Sequence, residues 1–241
     1  MTSSNCLRNT GLPAIAMLLL AVTSWAQQKP PIAEKIAKTY GLDSFGQVDA
    51  IRYTFNIDIP GKKLARTWTW ELKADRVTFE GKDKADNPVK VTYVRSQLSS
   101  QPDNVKNEVD PGFVNDQYWL LFPLHVYWDN ADVQDKGMHK LPAGKGSAKQ
   151  VVVKYAGGGY TPGDTWELFV GPDYRVKEMA YHRGGSVKPS LVIATWAGYK
   201  KAGSLLFSTE HRGTADGKPA HIFFSDVAVK LAGSDTWINA Q

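Results

Sequence analysis

The chain is short of cysteine, of long apolar runs and of any metal or nucleophile motif, and each shortage narrows its class. One cysteine, Cys6, stands among 241 residues. It precedes the one sustained apolar run, residues 12–22, so it is not placed for lipid attachment. That run is too short for the ~20 residues that cross a bilayer. No Asn-x-Ser/Thr acceptor occurs. His125, His139, His182, His211 and His221 form no pair at metal-ligand spacing, and no Gly-x-Ser-x-Gly elbow is present. No metal, cofactor or catalytic residue is read from these patterns. Composition is 42% hydrophobic and 22% charged, which excludes a disordered chain.

What is present begins with an export leader. Arg8 supplies the basic start, residues 12–22 the apolar centre, and Ser24-Trp25-Ala26 the small-residue exit. Cleavage after Ala26 removes 26 of 241 residues, leaves 215, and takes away Cys6 and one positive charge, from +5 to +4. The expected product, residues 27–241, is a cysteine-free single domain, periplasmic or secreted. It must rest on a good core rather than on disulfides.

The mature chain opens with one helix. Prolines at 30 and 31, Gly41 at the end, and Ile32, Ile36 and Tyr40 at i, i+4, i+8 predict an amphipathic helix over 31–40. The period then changes to two. Ile51, Tyr53, Phe55, Ile57 and Ile59 share one face of a strand. Trp68, Trp70 and Leu72 alternate in the next, and further strands are expected near 75–80 and 89–94. A polar stretch at 96–112 reads as a long loop. Asn115 and Asp116 then start a short helix over 116–122 that Pro123 should end. Residues 129–146 read as a second loop. Strands resume at 150–155, 163–170, 175–182, 191–199, 205–211 and 220–231, with hairpin turns at Gly171-Pro172-Asp173 and Asp216-Gly217. The fold class read from this order is α+β. It is a strongly curved, mostly antiparallel sheet of about ten strands, an open half-barrel whose concave face is covered by the two helices.

Several motifs carry little chemistry. Gly213–Lys218 is one residue short of a phosphate loop, and Pro219 stands where the hydroxyl should be. Asp129, Asp132 and Asp135 recur at three, not at the alternate spacing of a calcium loop. Gly157-Gly158-Gly159 lacks the helix that an anion site would want behind it. A charge of +4 with export argues against nucleic acid and suits brief contact with an anionic membrane or a lipoprotein.

The aromatic stock is the informative feature. Trp68, Trp70, Phe79, Tyr118, Trp119, Phe122, Trp166 and Trp196 lie on strands or on the short helix. Large inward aromatics on a curved sheet build either a filled core or the wall of an apolar cavity. Two other readings stay open. One is a hydrolase with a polar strand-end site at His182, Arg183, Glu210 and His211. The other is a glycan-binding module, which requires Trp68 and Trp70 to face solvent.

The order of leader, amphipathic helix, long strands, mid-chain helix and more strands resembles the half-barrel of bacterial lipoprotein carriers, the Lol carrier and receptor and related periplasmic lipid-binding proteins. Residues 68–79, with Trp68-Thr69-Trp70-Glu71-Leu72-Lys73, and residues 165–176, with Thr165-Trp166-Glu167-Leu168-Phe169-Val170, carry the likeness. The order is similar as well to that of a group of secreted bacterial proteins. The resemblance implies a curved sheet that holds acyl chains. On that basis the expected ligand is a hydrophobic small molecule or lipid, bound without catalysis by a monomer.

Overall fold

The computed structural model describes residues 29–241 apart from 84, 158, 159, 161 and 185–189. The leader expected at 1–26 lies outside the described residues. The order begins with α1 (Pro31–Thr39), α2 (Leu42–Phe45), β1 (Val48–Ile59), β2 (Lys62–Glu71), β3 (Arg76–Lys82) and β4 (Pro88–Val94). Helical turns at Arg95–Ser100 and Val105–Val109 lead into α3 (Asp110–Trp128). Then come β5 (Asp132–Lys140), β6 (Ser147–Lys154), β7 (Thr165–Val170), β8 (Val176–His182), β9 (Leu191–Thr195), β10 (Ala197–Ala202), β11 (Leu205–Ala215), β12 (Lys218–Leu231) and β13 (Trp237–Asn239).

The strands form one antiparallel sheet in the order β4-β3-β2-β1-β12-β11-β9-β8-β7-β6-β5, with β10 on β11 and β13 on β12. The sheet is open, with β4 and β5 as its edges. Its two longest strands, β1 and β12, pair near the middle, where Phe55 lies opposite Phe224. A register shift between Arg52 and Thr54 faces Asp226, whose φ is 53°, and such a bulge bends the strands and strengthens their twist. The β9–β11 pairing requires Gly213, because a Cβ there would stand 1.9 Å from the Ile193 carbonyl oxygen.

The alternation read from the sequence sets the faces. Ile51, Tyr53 and Phe55 are fully buried on the concave side. Trp68, Val77 and Tyr93 continue that surface on one flank, Leu168, Met179 and Phe207 on the other, in one contiguous core. The concavity is filled by α3, whose Phe113, Trp119, Leu120, Phe122 and Leu124 are buried. Burial of each such side chain stabilises the fold by about 1.5–3 kcal/mol. The inner stripe of α1, Ile32, Ala33, Ile36 and Ala37, packs on α3. Tyr40 fastens the end of α1 to the sheet, accepting from the Val176 N–H at 3.0 Å and pairing with the Tyr199 hydroxyl at 2.6 Å.

Four expectations need correction. The mid-chain helix is 19 residues long rather than seven, and Pro123 lies inside it. An interior proline costs about 3 kcal/mol in an isolated helix. Here twelve buried residues of α3 outweigh that cost. The stretch 96–112 is largely helical turn, not open loop. The second expected loop holds β5, paired with β6 along its length. With β13 and the division of 191–199 at Trp196 into β9 and β10, the sheet has thirteen strands among the described residues, not about ten.

Candidate functional site

Helix α3 brings three carboxylates into contact with the sheet. Asp110, in its first turn, is fully buried and accepts from Tyr93 at 2.7 Å, from Arg95 Nε at 2.7 Å and from Tyr160 at 2.5 Å. Burial opposes its ionisation, but these donors outweigh burial and hold the carboxyl below its usual range. Asp116 is equally buried and takes two bonds from Arg66 and one from the Trp68 indole at 2.8 Å. Here burial wins over the guanidinium and pushes the carboxyl up. Asp129 follows the last turn of α3. It accepts from the hydroxyls of Tyr118 and Tyr155, each at 2.7 Å, and pairs with His125 Nδ1 at 2.9 Å. Burial opposes its charge, and His125 and the two tyrosines reverse the balance, so its pKa falls. Lys29 donates to the Tyr127 carbonyl at 2.7 Å and to that of Asp129, satisfying carbonyls that a helix end leaves free.

Beside this network a half-open cleft of about 520 Å³ lies between the N-terminal half of α3 and the ends of β6–β9. Its walls are aromatic: Tyr118, Tyr155, Tyr160, Trp166 and Tyr181. Trp166 is held from behind by Phe122, stacked with ring centroids 4.1 Å apart, and from the side by Tyr181 at 4.5 Å. Tyr118 stacks on His125 at 3.9 Å. Both ring nitrogens of His125 are engaged, the second with Gln117 at 2.9 Å. At the rim, Asp164 accepts from the Tyr181 hydroxyl at 2.9 Å and from the Gly184 N–H at 2.8 Å. Gly184 lies so close to the β6–β7 connection that a Cβ would meet the carbonyl carbon of Gly163 at 2.2 Å. A wider, open groove of about 760 Å³ runs along the tips of the β1–β2 and β11–β12 hairpins, between Lys62, Lys63, Arg212 and His221. It is a gap between solvated turns and has no aromatic wall.

The eight aromatic candidates all belong to the core or pack on it. Trp68, Phe79, Trp119, Phe122, Trp166 and Trp196 are buried, and Tyr118 and Trp70 are partly so. Two of the eight, Tyr118 and Trp166, line the cleft. Trp68 is 1% exposed and donates to Asp116, and the Trp70 indole N–H is buried against Phe113. That pair is therefore not the solvent-facing platform that a glycan-binding module requires.

The four polar candidates are not brought together. His182 lies on the convex face with Glu167 at 3.1 Å, since its neighbour Tyr181 points inward. Glu210 is also on the convex face and pairs with His221 at 2.7 Å. His211 points the other way, into the core against Trp196 and Phe224. Burial lowers its pKa to about 3, so it is neutral. Of the four, Arg183 alone lines the cleft. The arrangement assembles no strand-end catalytic site from them.

Sequence reading missed Tyr155, Tyr160 and Tyr181. Tyr155 ends a β-branched run and Tyr160 follows a glycine cluster, so each looks local until α3 comes between them.

No family model matches the chain, and no curated protein matches it. Two solved structures are similar in layout. A DUF1329-family protein from Desulfovibrio piger aligns with a TM-score of 0.44 at 10% identity, over 86% of this chain and 96% of that one. The lipoprotein LppX of Mycobacterium tuberculosis aligns with a TM-score of 0.31 at 8% identity, over 83% of this chain and 96% of that one. At these identities and scores, neither likeness bears on ligand or function. Among the described residues no helix is long and apolar enough to cross a membrane.

Proposed function

We propose that the chain is an exported, non-catalytic, monomeric binding protein that takes up a hydrophobic small molecule or lipid in the cleft beside α3. The observation that carries this reading is the cleft itself: about 520 Å³, half enclosed, walled by four tyrosines and Trp166. Ligand sites of small molecules fall at about 300–1,000 Å³ and join apolar walls to a few polar groups. Three carboxylates nearby are engaged in holding the walls. Asp129 fixes Tyr118 and Tyr155, Asp110 fixes Tyr160, and Asp164 fixes Tyr181. Such a site is built to present flat apolar faces, with no free nucleophile–base pair among these groups. Export through the leader at 1–26 and brief contact with a membrane or lipoprotein for loading complete the proposal.

Native mass spectrometry of protein purified without detergent tests it. The expected result is a co-purifying adduct, or uptake of added fatty acid or phospholipid. Val114→Arg, which fills the cleft from α3, should remove that uptake. A clean unliganded mass that no added lipid changes would overturn the proposal.

A further inference from the structure

Among its described lining residues, the cleft holds one basic side chain, Arg183. It follows the last residue of β8, and strand alternation brings it to the same side as Tyr181. Its backbone is fixed, because its N–H donates to the Ser190 carbonyl at 3.0 Å and the next residue, Gly184, donates to Asp164.

The side chain of Arg183 differs from those of the other described arginines. Arg66, Arg76, Arg95, Arg175 and Arg212 each have a carboxylate within ion-pair distance. Arg52 lies over the Trp237 ring at 4.9 Å. Among the described residues, Arg183 has neither kind of partner. Among the described lining residues one is an acid, Asp164, and Tyr181 and Gly184 donate to its two oxygens. A guanidinium at the rim of an aromatic cleft offers a planar pair of donors that fits a carboxylate, sulfate or phosphate group.

We infer that the cleft takes an amphiphile with a single anionic head group, seated on Arg183, and its apolar body against Trp166 and the tyrosines. The inference rests on the reading of the cleft as the place of hydrophobic uptake and adds the charge of the ligand to it.

Titration calorimetry tests it with four ten-carbon probes below their micelle concentrations: decanoate, decyl sulfate, decanol and decyltrimethylammonium. The wild-type chain should bind at least one of the two anions about tenfold more tightly than decanol, and the cation most weakly. Arg183→Gln should bring the anions to the level of decanol and leave decanol unchanged. Because Arg183 is exposed, the variant should keep the wild-type urea midpoint, so a loss of anion binding would not come from misfolding. Preference for decanoate or for decyl sulfate tells a carboxylate head from a sulfate-like one, and either supports the inference. Decanol binding as tightly as both anions, or an anion preference that survives Arg183→Gln, would overturn it while leaving hydrophobic uptake intact. Failure of all four probes to bind would overturn the uptake reading and the head-group inference together.

Discussion

Tyr160, on the β6–β7 connection, donates its hydroxyl at 2.5 Å to Asp110, the buried carboxylate that also binds Tyr93 of β4 at 2.7 Å. One side chain of α3 thus ties the edge strand of one flank to a connection of the other. Burial and Asp110 push the Tyr160 hydroxyl up to about 12, so it stays a donor throughout the neutral range. Tyr160→Phe should cost about 1 kcal/mol. Asp110→Ala, which leaves Arg95 and two tyrosines unpartnered, should cost about 3 kcal/mol. Urea unfolding measures both, and equal effects would show that the tie through Tyr160 carries most of the role of Asp110.

The Arg66–Asp116 pair offers a cycle. Arg66→Met strands a buried carboxylate and should destabilise by about 3 kcal/mol. Asp116→Asn in the same chain keeps an acceptor for the Trp68 indole and removes the stranded charge, so the double variant should recover much of that loss. A double variant no more stable than Arg66→Met would show that Arg66 acts through packing on Phe55, 5.3 Å away, and not through charge.

Acid sensitivity should trace to His211. Its folded pKa of about 3 lies below the ordinary value of 6.5, because burial excludes the charged form. The unfolded chain therefore binds a proton at this residue that the folded chain refuses. Stability is full above 6.5 and falls as pH drops from there towards 3, by up to about 1.4 kcal/mol per pH unit. Asp110 and Asp129, with lowered pKa, add their loss only at lower pH, as pH falls through their folded values. Asp116, raised by burial, opposes the trend at pH values above the ordinary carboxyl range, where it favours the protonated folded form. His211→Phe should flatten the stability profile between about pH 6 and 4. An unchanged slope in that variant would assign the sensitivity elsewhere.

Gly184→Ala should cost about 2 kcal/mol, since the new methyl meets the Gly163 backbone and neither side can yield without shifting the rim. It should weaken ligand uptake as well, because the same segment carries Arg183. Gly46→Ala, where nothing lies within 4 Å, is the matched control and should leave both unchanged.

The legible parts of this fold are those in which local chemistry and tertiary role agree. Asp216-Gly217 turns β11 into β12 with φ of 49° and 77°, as that dipeptide prefers. Ile51, Tyr53 and Phe55 alternate in sequence and in burial. β5 was not legible because it is an edge strand. Its Asp132, Asp135, Lys136, His139 and Lys140 read as a solvated loop, and charge is what keeps an open edge from pairing with another molecule. The end of α3 was hidden by Pro123, since a proline stops a helix only when nothing else holds the following turn, and its start by Pro111-Gly112, which read as loop. The cleft was half legible. Tyr118 and Trp166 stood out as aromatics within patterned elements, whereas Tyr155 and Tyr160 sit where strand pattern gives way to glycine. Arg183 looked like one of four polar residues at strand ends, and the alternation of faces along β8 and β11 separates it from the rest.

The β1–β12 pair joins residues some 160–180 positions apart, Ile57 to Ile222 and Ala50 to Lys230. The first four strands can form a meander early, but their shared surface with the rest of the sheet does not exist until residues 218–231 arrive. Contacts of such sequence separation must close a long loop before they return any free energy, which slows folding. The β1–β12 seam is therefore the last to be joined. Until then β1, paired with β2 on one side, is an open edge strand carrying Ile51, Tyr53 and Phe55, and refolding should be slow and prone to aggregation in proportion to chain concentration.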